Sequence, residues 1–427
     1  MLICMEALRV IAWAVSLCAA APAAEPNTPP QLYARWKHGP PSDPNFFPIA
    51  VWLQAPRNAA KYKAAGFNTY VGLWKGPTDQ QLTELKAAGM KVICDQNAVG
   101  LKHRDDPTIV AWMHGDEPDN AQARPGGKGY GPPIAPEKIA ADYERIRRAD
   151  PARPVLLNLG QGVAWDGWHG RGVRTNHPED YLQYVKGCDI ASFDIYPAVH
   201  SHRDVAGKLW WVARGVDRLV KWAGPRRLVW NCIECTRIGN EKVKPTPAQV
   251  RAEVWMSIIH GSRGIIYFAH QFKPRFIEAG LFADAEMLAA VTKINREVRD
   301  LAPVINGRAY EDWLPAHPVP VRAPRHDRLR RVANVLFGVD TISGEGSVAA
   351  DYRRWRKSPY DFAEYVFAVN MRDKPTEVEF SRSGFQPRTP KPVEVLGEDR
   401  SIARGTDGWG FRDKFGPYEV HIYRVPW

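Results

Sequence analysis

Between residues 47 and 302 the chain changes texture eight times in the same way. A short run of β-branched, aliphatic and aromatic residues gives way each time to a segment with helix signals. The runs begin at Phe47 (FPIAVWLQ), Phe67 (FNTYVGLW), Met90 (MKVICDQN), Ile109 (IVAWMHGDEP), Pro154 (PVLLNLGQ), Cys188 (CDIASFDIYP), Arg227 (RLVWNCIECT) and Gly264 (GIIYFAHQF). Charged residues are nearly absent from their interiors, as expected of a parallel sheet covered by helices. Eight such units in about 255 residues fit a (β/α)8 barrel in size as well as in pattern.

The intervening segments carry start and stop signals. Thr78 can cap a helix through Leu82 and Leu85 that Gly89 ends. Thr246-Pro247-Ala248-Gln249 joins a capping box to a proline at the first helical position, just ahead of Val250, Val254, Ile258 and Ile259. Ile139, Tyr143 and Ile146 share one helix face. The third connection, residues 98–108, has room for little helix.

After Leu301 the pattern changes. A Pro-rich stretch, residues 303–325, leads to alternating runs at residues 365–370, 376–380 and 419–423, punctuated by Gly, Pro and Asp. That is the pattern of a small antiparallel β-sandwich. At the other end, Arg9, an apolar run over residues 10–17 and the small-residue site Ala21-Pro22-Ala23 read as an export signal. The apolar run is too short to span a bilayer, so secretion or a periplasmic location is expected rather than stable membrane insertion. The expected division is residues 1–24 signal peptide, 25–46 N-terminal extension, 47–302 barrel and 303–427 C-terminal sandwich.

The net charge of +11 raises the question of nucleic acid, but Lys and Arg are dispersed and no DNA- or RNA-binding motif is present. Four cysteines remain after the signal, Cys94, Cys188, Cys232 and Cys235, too few for a disulfide scaffold. Cys232 and Cys235 have CxxC spacing, yet residues three apart on a strand point to opposite faces, so buried barrel cysteines are expected.

In a (β/α)8 barrel the chemistry gathers where strands run out into βα loops. At those ends stand Gln54, Trp74, Asp95, Asn97, Asp116, Glu117, Asn158, Gln161, Asp194, Tyr196, Glu234, His270 and Gln271. Two carboxylates stand out: Glu117, before Pro118 at the end of the fourth strand, and Glu234 at the end of the seventh. Cleaving a glycosidic bond takes a proton donor at the leaving oxygen and a second carboxylate that attacks or activates water. The pair is held roughly 5–5.5 Å apart in retaining enzymes and roughly 6.5–9.5 Å apart in inverting ones.

These residues carry a resemblance to glycoside hydrolase clan A, the retaining (β/α)8-barrel glycosidases, over residues 47–302. The resemblance implies β-glycosidic hydrolysis through a glycosyl-enzyme intermediate, with Glu117 as acid/base, Glu234 as nucleophile and no cofactor. Phe193-Asp194-Ile195-Tyr196-Pro197 is similar to the Tyr-Pro element that clan members often carry on strand six, from which Tyr196 would donate a hydrogen bond to Glu234. One departure is Asp116, where many clan members have an Asn that contacts the sugar 2-hydroxyl. An Asp beside Glu117 raises its pKa, which suits a general acid.

The substrate-binding candidates are Asp116, Asp194, Tyr196, Asn158, Trp74, Asp95, Trp165, Trp168 and His270, with the two loop indoles as sugar-stacking platforms. Residues 123–133 form a Gly-rich loop beside Glu117, a candidate lid. Arg171, Arg174, Arg203, Arg237, Lys273 and Arg275 are candidates to rim the mouth and recognise an anionic sugar. His200 and His202 have a spacing that can bind metal, but no partner carboxylate is placed with them, and no metal is expected. The expected partner is an oligo- or polysaccharide. Two other functions compete: a non-catalytic carbohydrate-binding barrel, and a metal-dependent barrel hydrolase.

Overall fold

The computed structural model describes residues 32–307, 317–318, 348–358, 361–380, 391–405 and 410–426. The expected export signal, with Cys4 and Cys18, and most of the Pro-rich stretch lie outside the described residues.

Eight parallel barrel strands lie where the sequence places them: β1 (Ile49–Trp52), β2 (Thr69–Val71), β3 (Lys91–Asp95), β4 (Ile109–Met113), β5 (Val155–Leu159), β6 (Ile190–Phe193), a seventh in two pieces, β7 (Leu228–Val229) and β8 (Asn231–Glu234), and β9 (Ile265–Phe268). The sheet order is β7-β6-β5-β4-β3-β2-β1-β9-β8. The first piece of the seventh strand pairs with β6 and the second with β9, so the sheet closes through Trp230. Between the strands run α1 (Ala59–Ala64), α2 (Asp79–Ala87), the five-residue α3 (Ala98–Lys102), α4 (Pro136–Ala149), α5 (Tyr181–Tyr184), α6 (Trp210–Ala223) and α7 (Pro247–Ile259), followed by α8 (Ala285–Asp300) and α9 (Ala302–Ile305).

Local chemistry explains these boundaries. The capping boxes form as read: Thr78 with Gln81 starts α2, and Thr246 with Gln249 starts α7. Gly89 leaves α2 with φ +65°, a left-handed conformation that favours glycine. Ile139, Tyr143 and Ile146 are the buried face of α4.

Two apolar layers share the strands. Ala50, Val71, Ile93, Leu156, Ile190, Cys232 and Ile266 fill the barrel interior, while Ile49, Val92, Leu157, Ala191 and Ile233 pack under the helices. Cys232 faces the interior and Cys235 the helix layer; both are free thiols, as are Cys94 and Cys188. The N-terminal extension plugs the barrel floor: Tyr33 donates to the Arg263 carbonyl at 2.9 Å and accepts from Trp230 Nε1 at 3.1 Å. Strand β4 is anchored from outside, where Asp150 accepts from Trp112 Nε1 at 3.0 Å and from Arg153 Nη1 at 2.8 Å.

The C-terminal strands are β10 (His317–Pro318), β11 (Val348–Ser358), β12 (Asp361–Asn370), β13 (Thr376–Phe380), β14 (Val393–Val395), β15 (Arg400–Ile402), β16 (Phe411–Phe415) and β17 (Val420–Pro426). They form two antiparallel sheets, β11-β12-β17-β14-β15 and β10-β13-β16. Val366, Val378, Phe380, Phe411 and Tyr423 fill the space between them. This sandwich docks on α7: Trp255 stacks on Phe367 at 5.1 Å, and Arg251 donates to the Val420 carbonyl at 2.8 Å.

Candidate active site

The C-terminal end of β4 turns sharply. Met113, the last residue of the strand, faces the interior, and the chain then runs through His114 and Gly115 to Asp116 and Glu117. Glu117 has φ +43°, a left-handed conformation that costs a non-glycine residue energy and that clusters at functional sites. Behind it, Asp119 accepts from the Gly160 amide at 2.9 Å and from Tyr181 Oη at 2.7 Å, locking this turn onto the β5 loop.

Three carboxyl groups meet at this point. Asp116 is exposed, with Oδ1 accepting from Asn158 Nδ2 at 2.9 Å. Asn158 is buried inside the barrel and accepts in turn from Ser192 Oγ at 2.8 Å, so Asp116 is aimed by strands β5 and β6. Glu117 and Asp194, the residue following β6, are in carboxyl–carboxyl contact, and both are partly accessible. Burial pushes Glu117 far above the usual carboxylate range, and the neighbouring Asp194 and Asp116 push it further. Asp194 is also raised by burial, but hydrogen bonding from Glu117 and Tyr196 draws it back. Two adjacent carboxyls in a poorly solvated place cannot both ionise. Glu117 therefore holds the proton and donates to Asp194, which carries the charge.

Glu234 stands at the C-terminal end of the seventh strand but has a different environment. It is 0 % exposed. Oε1 accepts from the Ala198 amide at 2.6 Å and Oε2 from the Val199 amide at 2.9 Å. Its remaining neighbour is the Glu253 carboxyl of α7. The structure thus joins Glu117 to Asp194, and Glu234 to Glu253, rather than Glu117 to Glu234. Tyr196, expected to donate to Glu234, bears on Asp194; the donors to Glu234 are the two backbone amides that follow Pro197.

Beside Asp116 opens a cleft of about 970 Å³ over β1, β2 and β9. Trp74, 70 % exposed, stands on its wall, and Phe268, His270, Phe272 and Phe276 line it from the β9 side. His270 stacks with Phe272 at 6.3 Å and with Phe276 at 5.9 Å, and the two Phe rings are tilted against each other at 5.6 Å. The Gln54 amide lies 3.2 Å from His270 Nε2, and burial lowers the His270 pKa, so the ring is neutral. Phe272 and Phe276 were not among the sequence candidates. Their signal was the aromatic spacing in HQFKPRFIE, directly after the last strand.

The other candidates sit elsewhere. Asp95 lines a separate cavity of about 260 Å³ with Asn97, His114 and Arg145. Trp165, expected as a platform, is only 7 % exposed, because Trp168 and His202 crowd it at 6.0 and 4.7 Å. Trp168 is half-buried and donates through Nε1 to Asn120 Oδ1 at 2.9 Å. Arg171 is buried; it and Arg174 both bind Asp180, so neither is free to rim the mouth. His200 lies 3.0 Å from Gln161 Oε1, and its ring accepts from the His202 amide. Residues 123–133 form an exposed turn closed by an Ala123–Tyr130 bridge.

No family model matches the sequence, and no curated protein matches it. Among solved structures, alpha-galactosidase I from Mortierella vinacea superposes with a TM-score of 0.51 at 9% identity, over 90% of this chain and 97% of that one. A maltogenic alpha-amylase from Thermotoga neapolitana gives 0.49 at 10% identity, over 90% and 99%. The endo-1,4-beta-mannanase of Rhizomucor miehei gives 0.41 at 12% identity, over 60% and 95%. The likeness to the Mortierella vinacea structure is one of architecture alone and leaves the reaction to be argued from the site.

Proposed function

We propose that the protein is a glycoside hydrolase acting on an oligo- or polysaccharide, with Glu117 as the proton donor. The observation that carries this reading is the meeting of Asp116, Glu117 and Asp194 where Asp116 lines an aromatic-walled cleft, with Glu117 kept protonated by burial and then by its neighbours. A glycosidic oxygen leaves readily only when protonated, and the sugar ring gains positive charge as it departs. Glu117 supplies the proton. Asp194 and Asp116 supply negative charge where the cation develops. Asp116 has one oxygen fixed by Asn158 and is otherwise open, so it is the group for attack on the sugar or activation of water.

The clan resemblance supplies the finer terms, a β-linked substrate and retention of configuration. A second reading keeps Glu234 as nucleophile with Glu117 as acid/base, favoured by the position of Glu234 at the end of the seventh strand. It requires residues 198–199 to withdraw and uncover the carboxylate. Lys273 and Arg275 are exposed in the loop that carries Phe272 and Phe276 and form no ion pair among the described residues, which supports an anionic sugar at the outer cleft. The N-terminal pattern supports action outside the cytoplasm.

The test is a screen of aryl glycosides and polysaccharides for released reducing ends, repeated with Glu117→Gln. The first-formed anomer, followed by NMR, reports retention. Trapping with a fluorinated glycoside and locating the label separates the readings: label on Asp116 supports the first, label on Glu234 the second. Binding of saccharide without turnover would mean a non-catalytic barrel.

A further inference from the structure

The second carboxyl pair has no place in that reaction, yet it touches the loop that presents Asp194. Glu253 lies on the barrel-facing side of α7, 1 % exposed, and no N–H or O–H donor among the described residues reaches either of its oxygens. A buried ionised carboxylate without a donor is very costly, whereas a protonated one can itself donate. Among the described residues, the ionisable group that reaches it is the Glu234 carboxyl. Burial raises Glu234 to about 7, but two backbone amides aimed at its two oxygens favour its charged form over that of Glu253. The proton therefore resides on Glu253 and is donated to the Glu234 carboxylate. The other titratable groups bearing on the pair are the Cys235 thiol and the Tyr418 phenol. Both are pushed up by burial and neutral, so no cation competes.

The two amides belong to Ala198 and Val199, four and five residues after Asp194 and directly after Tyr196-Pro197. The segment leaves β6, carries Asp194 to Glu117, and is then tied down on Glu234. We propose that Glu253 and Glu234 form a positioning pair: protonated Glu253 orients the Glu234 carboxylate, which anchors residues 198–199 and so fixes Asp194 against Glu117. Both are positioning residues here, and the proposal rests on Glu117 and Asp194 being the reacting centre. A helix side chain thus acts through a strand-end carboxylate on a loop to place one charge. A misplacement of about 1 Å at a reacting group can cost about 10²-fold in rate, so the anchor matters to turnover.

The test uses three variants of the full chain, Glu253→Gln, Glu253→Leu and Glu234→Gln, with two readouts. The first is amide hydrogen exchange over residues 195–200, which needs no substrate. Glu253→Gln keeps a donor and is expected to exchange like wild type. Glu253→Leu and Glu234→Gln are expected to exchange about tenfold faster in this segment alone, as local opening. Leu removes the donor and leaves Glu234 to its two amides, so exchange over the rest of the chain is followed as the control for loss of the fold. The second readout is kinetic, on any glycoside that is hydrolysed. Glu253→Leu and Glu234→Gln are expected to lose about 10- to 100-fold in kcat with KM little changed, and Glu253→Gln to stay near wild type. Wild-type exchange in Glu253→Leu overturns the proposal even if no substrate is ever found. Recovery of turnover in Glu234→Gly by azide, with glycosyl azide as product, overturns it by making Glu234 the nucleophile. Absence of hydrolysis with the expected exchange pattern overturns the reaction and leaves the anchor standing.

Discussion

Two carboxyl pairs lie at the same end of the barrel, and they differ in what can reach them. Glu117 and Asp194 are partly open and adjoin Asp116, which lines the cleft with the aromatic wall. Glu234 and Glu253 are sealed between the seventh strand, α7 and the loop after β6. Each pair holds a shared proton, because burial and the second carboxyl disfavour two charges and no cation among the described residues balances them. The difference is one of access, and access separates a group that can exchange a proton with substrate from one that can only hold a neighbour in place. A raised carboxyl pKa is thus a weak guide to catalysis until the exposure of the group is known.

The largest expected effect breaks the open pair. Glu117→Gln removes the proton donor and keeps the shape, and kcat on a glycoside with a poor leaving group should fall by about 10²- to 10⁴-fold. An activated aryl glycoside should lose much less, since its leaving group needs little protonation. Equal loss on both would remove Glu117 from the acid role.

Asp194→Asn sharpens the comparison, because it removes the charge that adds to burial in keeping Glu117 protonated. In the proposed role Glu117 acts as the acid, so activity should be lost as pH rises through its pKa. Without Asp194 that pKa falls, and the alkaline limb of kcat/KM should move to lower pH by about one unit or more, each unit being about 1.4 kcal/mol of lost interaction. An unmoved limb would show that Asp194 does not bear on the acid. At the cleft wall the effects are smaller. Trp74→Ala and Phe276→Ala should each raise KM by about three- to tenfold with kcat nearly constant, as expected for stacking contacts made equally in the ground and transition states.

Much of the fold was legible because its determinants are local. Eight apolar runs, two capping boxes and the face shared by Ile139, Tyr143 and Ile146 depend on neighbours within one turn or one strand, and all appear as read. Strand β11 was missed, because its middle, Asp351-Tyr352-Arg353-Arg354, shows no long apolar run to mark it. The site was legible only to the level of strand ends. Asp116, Glu117, Asp194 and Asn158 come together because β4, β5 and β6 are adjacent, which the barrel order implies. What no pattern carried was direction and cover. Glu234 is closed off by backbone amides of another loop, and Trp165 by the indole and imidazole packed against it. Glu253 reads in sequence as an ordinary helix glutamate, and only tertiary packing makes it a buried acid.

The smallest effect falls on stability and treats both pairs alike. Glu253 is protonated in the folded chain, where burial and then Glu234 raise its pKa well above the ordinary value. In the unfolded chain it ionises near the usual glutamate pKa. Folding therefore takes up a proton across that window. A group raised in the folded state gives its full stability below the unfolded pKa and loses it as pH rises toward the folded pKa. The slope for one proton is about 1.4 kcal/mol per pH unit. Glu253→Gln never ionises, so its stability should decline less steeply than wild type from mildly acidic pH upward, by about one proton in denaturant titrations. Glu117→Gln should flatten the curve in the same sense, because Glu117 is raised for the same first reason, burial. The two variants then part on activity: Glu253→Gln keeps turnover and Glu117→Gln loses it. If Glu253→Gln left the pH slope unchanged, the sealed pair would not hold its proton, and the contrast between an open and a closed acid would lose its physical basis.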